Sequence, residues 1–219
     1  MRETWFPALA LALGLALGPA LAAYARWIVR CRKPEAAGGF TPWALTAAST
    51  ANGLGWLMAA LVGKGPVDMA NLMLMVSAGV VLTLIDVSIR IIPNELAAAL
   101  LALSAAMTLL DQGLAGLPGK IVGFLLALTM LLVAMLIARG KVGGGDVKLG
   151  AAVGFAAGFP NVLMAILLMA LLSAVAGGVG IQMRRMGKNT PMPFAGFLMA
   201  GLVLTLMLDR MGALGFLAW

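Results

Sequence analysis

Eight stretches of the chain are almost free of charge: residues 5–29, 43–63, 69–87, 95–110, 120–138, 149–159, 162–183 and 194–208. Turn formers collect between them, as Gly38-Gly39, Gly65-Pro66, Pro93-Asn94, the 116–119 segment, Gly143 through Gly145, Pro160-Asn161, and Pro191 with Pro193. A helix needs about 20 apolar residues to cross ~30 Å of hydrocarbon. Seven of the runs approach that length. The sixth, of eleven residues, is too short to cross as one helix and reads as a half-span or a helix that starts below the membrane surface. The pattern therefore predicts an all-α, polytopic integral membrane helical bundle with about eight transmembrane helices.

Composition closes off the soluble alternative. Of the 219 residues, 63% are hydrophobic and 11% charged, against about 45–50% and about 25% in soluble domains. Too few polar side chains remain to cover a water-facing surface. The formal charge of +7 sits between apolar runs, which marks it as loop charge that orients the spans rather than a nucleic-acid surface. With eight crossings, eleven of the fifteen basic residues fall on one side: Arg26, Arg30, Arg32, Lys33, Arg90, Arg139, Lys141, Lys148, Arg184, Arg185 and Lys188. Arg2, Lys64, Lys120 and Arg210 fall on the other. The basic side is expected in the cytoplasm, with both termini outside. The first run imitates a signal peptide, but Glu3 stands beside Arg2 and the positive cluster follows the run, so a retained first span is expected. No internal repeat and no linker divides the chain. The longest polar stretch, about 30–42, is too short to fold alone, so residues 1–219 read as a single integral-membrane domain.

The same scarcity narrows the chemistry. There is no histidine, and Cys31 is the one cysteine. A zinc site built from His and Cys, Ser-His or Cys-His catalysis and an intramolecular disulfide are all excluded within one chain. Carboxylates remain, eight in number. Glu3, Glu35, Asp68, Asp111 and Asp209 lie at span ends, in loops or in tails and read as solvated charge. Glu95 opens a span after Pro93-Asn94, where an acid favours the helix dipole. Asp86 ends the third run, where the bland alternative is an interfacial anchor. Asp146 follows Gly143-Gly144-Gly145, where the alternative is a glycine hinge with a capping Asp. A phosphate cradle is disfavoured there, because the Walker spacing is absent and the carboxylate repels an anion. Both aspartates belong to the cytoplasmic end by the charge argument. If the fold brings them together they share one proton, and such a dyad hydrolyses a peptide bond through an activated water, without metal or covalent intermediate.

Three stretches in this order resemble the type IV prepilin peptidase family, membrane aspartic proteases with a GxGD motif. Asp86 with Ile92-Pro93-Asn94 is similar to the family's first aspartate motif. Gly143-Gly144-Gly145-Asp146-Val147-Lys148-Leu149 carries the GxGD segment and its trailing Lys-Leu. Pro193-Phe194-Ala195-Gly196-Phe197-Leu198-Met199-Ala200-Gly201 resembles the C-terminal Pro-Phe-Gly-Pro-Phe-Leu-Ala-x-Gly run. The resemblance covers roughly residues 82–201. It implies a bacterial inner-membrane, multi-pass endopeptidase that removes the short basic leader from type IV prepilin or pseudopilin precursors at the cytoplasmic face. Asp86 and Asp146 are its implied catalytic pair. Pro93, Asn94, Gly143, Gly144, Gly145, Lys148, Pro193 and Phe194 are implied to support the motifs and the approach of substrate. Many bacterial members carry two CxxC pairs in the first cytoplasmic loop, associated with metal binding and N-methylation. Here that loop keeps only Cys31, which implies a peptidase without methyltransferase activity, cofactor or metal. Expected partners are the protein substrate and the lipid bilayer, with no nucleic acid; the sequence leaves the oligomeric state open.

Two rivals differ in kind. A presenilin-type enzyme favours Tyr-Asp at the first aspartate and Pro-Ala-Leu after the second. Here Ile85 precedes Asp86, and the two Pro-Ala-Leu stretches, Pro7–Leu9 and Pro19–Leu21, precede both. A transporter or ion channel would use Asp86 and Asp146 as a cation site, but the inverted repeats common in transporters are not seen.

Overall fold

Each of the apolar runs holds an α-helix among the described residues. The computed structural model describes residues 5–39, 42–137, 143–182 and 193–214. Among them the helices are α1 (Trp5–Arg32), α2 (Pro42–Val62), α3 (Pro66–Ile89), α4 (Asn94–Gln112), α5 (Leu117–Ile137), α6 (Gly144–Ala157), α7 (Asn161–Gln182) and α8 (Phe194–Arg210). Short 3-10 turns cover Pro34–Gly39 and Gly113–Gly116, and the described residues contain no strand. Among the described residues, five stretches are long and apolar enough to cross a membrane: α1, α2, α3, the Asn94–Ile137 segment that holds α4 and α5, and Asn161–Gly180 of α7.

Local chemistry sets the boundaries. α3 starts behind Gly65 with Pro66 at its first turn, where the missing N–H costs nothing. It stops at Arg90, which adopts a left-handed conformation (φ 53°) and donates its N–H to the Asp86 carbonyl. Pro93 then caps α4. Gly113, at φ 63°, ends α4 and lets the chain turn toward α5. The sixth run is longer than the sequence implied, because Gly144 and Gly145 join the helix ahead of Asp146. At 14 residues it spans about 21 Å at 1.5 Å per residue, still short of ~30 Å of hydrocarbon.

The bundle has two polar ends. Lys148 near the start of α6 bonds Asn94 at the start of α4, and Arg32 at the end of α1 bonds Glu95. The end of α3 meets the start of α8 through Asp86 and Ala195. At the other end, Asp68 in the first turn of α3 holds Arg210 at the end of α8, and Lys120 of α5 reaches Ala156 of α6. Arg30, Arg32, Lys33, Arg90 and Lys148 thus share the Asp86 end, while Lys64, Lys120 and Arg210 share the opposite one. Arg2, Arg139, Lys141, Arg184, Arg185 and Lys188 lie outside the described residues.

The core is made by α3, α6 and α8. Leu72, Met75 and Leu82, Leu149 and Val153, and Leu198, Leu202 and Leu206 are almost fully enclosed. α6 is buried along most of its length. It lies so close to α5 that a Cβ on Gly154 would stand 2.5 Å from Ala127 and from the Gly123 carbonyl. Small residues permit such backbone approach between membrane helices, where apolar side chains gain little by leaving lipid. α1 and α2 approach as closely at Gly14, Gly18 and Gly53, and polar bonds join both to α3. Asn52, fully buried, donates to the Gly14 carbonyl at 2.8 Å and accepts from Ser77 at 2.9 Å, and Trp56 donates to Ser77. α7 leaves Leu163, Leu167, Leu171, Val175 and Val179 exposed along one stripe, a face suited to lipid.

Candidate active site

Asp86 sits one turn before the end of α3 and is 4% exposed. A carboxylate so enclosed needs donors, and Ala195 supplies one: its backbone N–H lies 2.7 Å from Asp86 Oδ2. Ala195 is the second residue of α8. Its N–H belongs to the first turn, where no carbonyl of the same helix is available. Pro193 and Phe194 start that helix, so the C-terminal motif delivers a helix N-terminus to the first aspartate.

Asp146 is reached from another direction. It lies in the first turn of α6, half-buried, with Oδ2 accepting the Gly143 N–H at 3.0 Å. The Asp146 N–H donates back to the Gly143 carbonyl, also at 3.0 Å. The carboxylate therefore caps its own helix. Gly145 lies where a Cβ would come within 3.4 Å of the backbone and side chain of Ile92, so the glycine segment packs on the α3–α4 connection. Among the described residues, nothing lies within 4 Å of a Cβ placed on Gly144. Lys148, one turn into α6, donates to Asn94 Oδ1 at 3.1 Å and ties α6 to α4.

All ten residues singled out by the motifs therefore lie at one end of the bundle, held by α3, α4, α6 and α8. Neither aspartate forms an ion pair among the described residues. With one carboxyl protonated and the other ionised, such a pair can take a proton from water with one oxygen and give one to a carbonyl with another. Among the described residues, no three Cys, Asp or Glu side chains converge as metal ligands. A cavity of about 400 Å³, which Asp86 itself does not line, opens between α2, α3 and α8. Its lining is apolar apart from Thr83 and Ser88, which flank Asp86 along α3.

Three contacts were not apparent from the residues alone. Asp68 is not solvated loop charge: it is 6% exposed and bonded to the Arg210 guanidinium at 2.9 Å. The signal was present, since Asp68 opens one apolar run and Arg210 closes another, but their pairing needs the antiparallel packing of α3 and α8. Glu95 does stand in the first turn of α4, but its side chain turns outward to Arg32, with both oxygens at 2.7 Å. The Ala195 N–H leaves no trace in side-chain identity at all.

Residues 73–181, about half of the chain, match the type IV leader peptidase family. A protein of Bacillus subtilis (strain 168) described as "Prepilin leader peptidase/N-methyltransferase" is 33% identical over 129 residues. That match takes in 59% of this chain and 52% of the relative, so the chain spans about half the length of the curated protein it resembles. No solved structure matches the chain. The family match runs through both aspartate segments, and the all-helical, apolar architecture agrees with it: this chain belongs to the type IV leader peptidase family.

Proposed function

We propose that the protein is a membrane-embedded aspartic endopeptidase that removes the short basic leader from prepilin-like or pseudopilin precursors. The observation that carries this reading is the placement of Asp86 and Asp146 from separate helices at one end of the bundle, without a cationic partner in an ion pair among the described residues. In the proposed reaction the ionised carboxylate removes a proton from water, and the water oxygen attacks the scissile carbonyl. The protonated carboxyl gives its proton to the carbonyl oxygen. Collapse of the resulting diol breaks the C–N bond, the amine takes a proton, and the shared proton is restored to the pair.

The basic residues at the Asp86 end support a cytoplasmic location for the site in the bacterial inner membrane. An eight-crossing chain with both termini outside, forming one peptidase domain over residues 1–219, is the topology that agrees with this orientation. A leader with positive charge joined to an apolar helix would then lie with its junction level with the two aspartates. Cys31, in the last turn of α1 rather than in the loop, is the one cysteine of the chain, which supports peptidase activity without N-methylation.

The test is cleavage of a prepilin by the purified chain in liposomes, read by mass spectrometry of the product. The expected product is mature protein with a free N-terminal amine. An intact precursor would refute the peptidase reading, and a methylated amine would refute its restriction to cleavage. Ion flux in liposomes that hold no prepilin would favour the transporter.

A further inference from the structure

We propose that the first turn of α8 is a positioning element for the candidate dyad, in which the backbone N–H of Ala195 clamps one oxygen of Asp86 and leaves the other to face the reacting water. The inference rests on the reading of Asp86 as half of a catalytic pair and assigns a role to the C-terminal motif within it.

The two aspartates are held in different ways. The donor to Asp146 is Gly143, three residues away, so that bond travels with the glycine segment wherever it moves. The donor to Asp86 is 109 residues away on another helix. Its position depends on the register of α8 against α3. That register is fixed at both ends. Ala195 meets Asp86 at one, and Arg210 meets Asp68 at the other through contacts of 2.8 to 3.0 Å. Between them Gly79 of α3 packs on Met199 and Thr83 packs on Gly196. Ala195 is fully buried and Asp86 nearly so, which excludes water as a ready substitute for the N–H. The clamp also uses a donor that α8 would otherwise leave unpaired, and a charge-assisted bond of this kind is about twice as strong as a neutral one. Asp86 is thereby tied to the core through α8, while Asp146 is bonded within its own helix start.

Removing the N–H without changing any side-chain chemistry tests the proposal. Ala195→Pro does so in the first helical turn, where proline is tolerated. Replacement of Ala195 by lactic acid, which turns the amide into an ester, does so without the ring and covers a failure of the proline variant to fold. Replacement of Gly196 by glycolic acid removes the neighbouring N–H as a control without adding an atom beside Thr83. Two readouts are compared on folded protein in liposomes. The first needs no substrate: the infrared carboxylate bands abolished by Asp86→Asn are recorded at alkaline pH, where carboxylates are ionised. They are expected to shift in frequency in both Ala195 variants and to stay in place in the Gly196 ester. The second is prepilin cleavage, where kcat is expected to fall about a hundredfold, on the scale of losing one preorganised donor, with KM within about twofold. Unmoved bands in a folded Ala195 variant overturn the clamp. Shifted bands with unchanged kcat overturn its role in positioning the dyad. If the wild-type protein cleaves no prepilin, the peptidase reading falls, and the infrared bands still decide whether the bond exists.

Discussion

The two polar ends of the bundle use the same residue types to opposite effect. At one end Asp68 is buried, but Arg210 meets it with three contacts of 2.8 to 3.0 Å, and Asp209 bonds the same guanidinium. Lys120 completes that end by donating to the Ala156 carbonyl at 2.7 Å. At the other end Asp86 and Asp146 receive backbone N–H groups and no cation among the described residues. A carboxylate matched with a guanidinium has little left to do except hold helices together. A carboxylate matched with an N–H keeps oxygen lone pairs and a proton-exchange capacity for a substrate. The difference lies in the partner, and it separates acids that maintain the fold from acids available for chemistry.

The largest way to break this comparison is through rate. Asp86→Asn and Asp146→Asn each keep the size of the side chain and its capacity to accept a hydrogen bond but remove acid–base chemistry. Prepilin cleavage in liposomes is expected to fall by on the order of a thousandfold in each, with thermal unfolding changed little. At the opposite end the expected loss is in stability. Arg210→Met leaves Asp68 enclosed without its cation, and thermal or denaturant unfolding should show a loss of about 3 kcal/mol. The double variant Asp68→Asn with Arg210→Met should recover much of it, because no uncompensated charge remains.

Much of this arrangement was legible in the residues. The helices follow the apolar runs because the bilayer imposes length and the turn formers impose ends. Both aspartates and the glycine segment were marked by residue type, since a chain with no histidine has few acids to choose from. Contacts between distant helices were not legible. Asp68 looked like a loop acid because its partner lies 142 residues away. Ala195 stood only as one residue of the C-terminal motif, because a backbone donor has no signature in sequence. Even α6 was misjudged in extent, since glycines that commonly end helices here begin one.

Smaller effects sharpen the picture. Lys120→Met, which removes a charged donor from the Ala156 carbonyl, is expected to lower stability by about 1.5 kcal/mol and to leave cleavage per folded molecule intact. Glu95→Gln breaks an exposed ion pair with Arg32. Exposed pairs contribute little, so neither the unfolding temperature nor the cleavage rate should move measurably, although Glu95 lies at the same end as the dyad. Proximity to the site is thereby separated from membership of it.

The most direct test of the central claim places the aspartates of both ends side by side: cleavage of one prepilin by Asp86→Asn, Asp146→Asn and Asp68→Asn, each normalised to its folded fraction. The account predicts that the first two retain the fold and lose cleavage, whereas Asp68→Asn cleaves at the wild-type rate per folded molecule while unfolding more readily. Cleavage within tenfold of wild type by a folded Asp86→Asn or Asp146→Asn protein would contradict it, as would the loss of cleavage by folded Asp68→Asn.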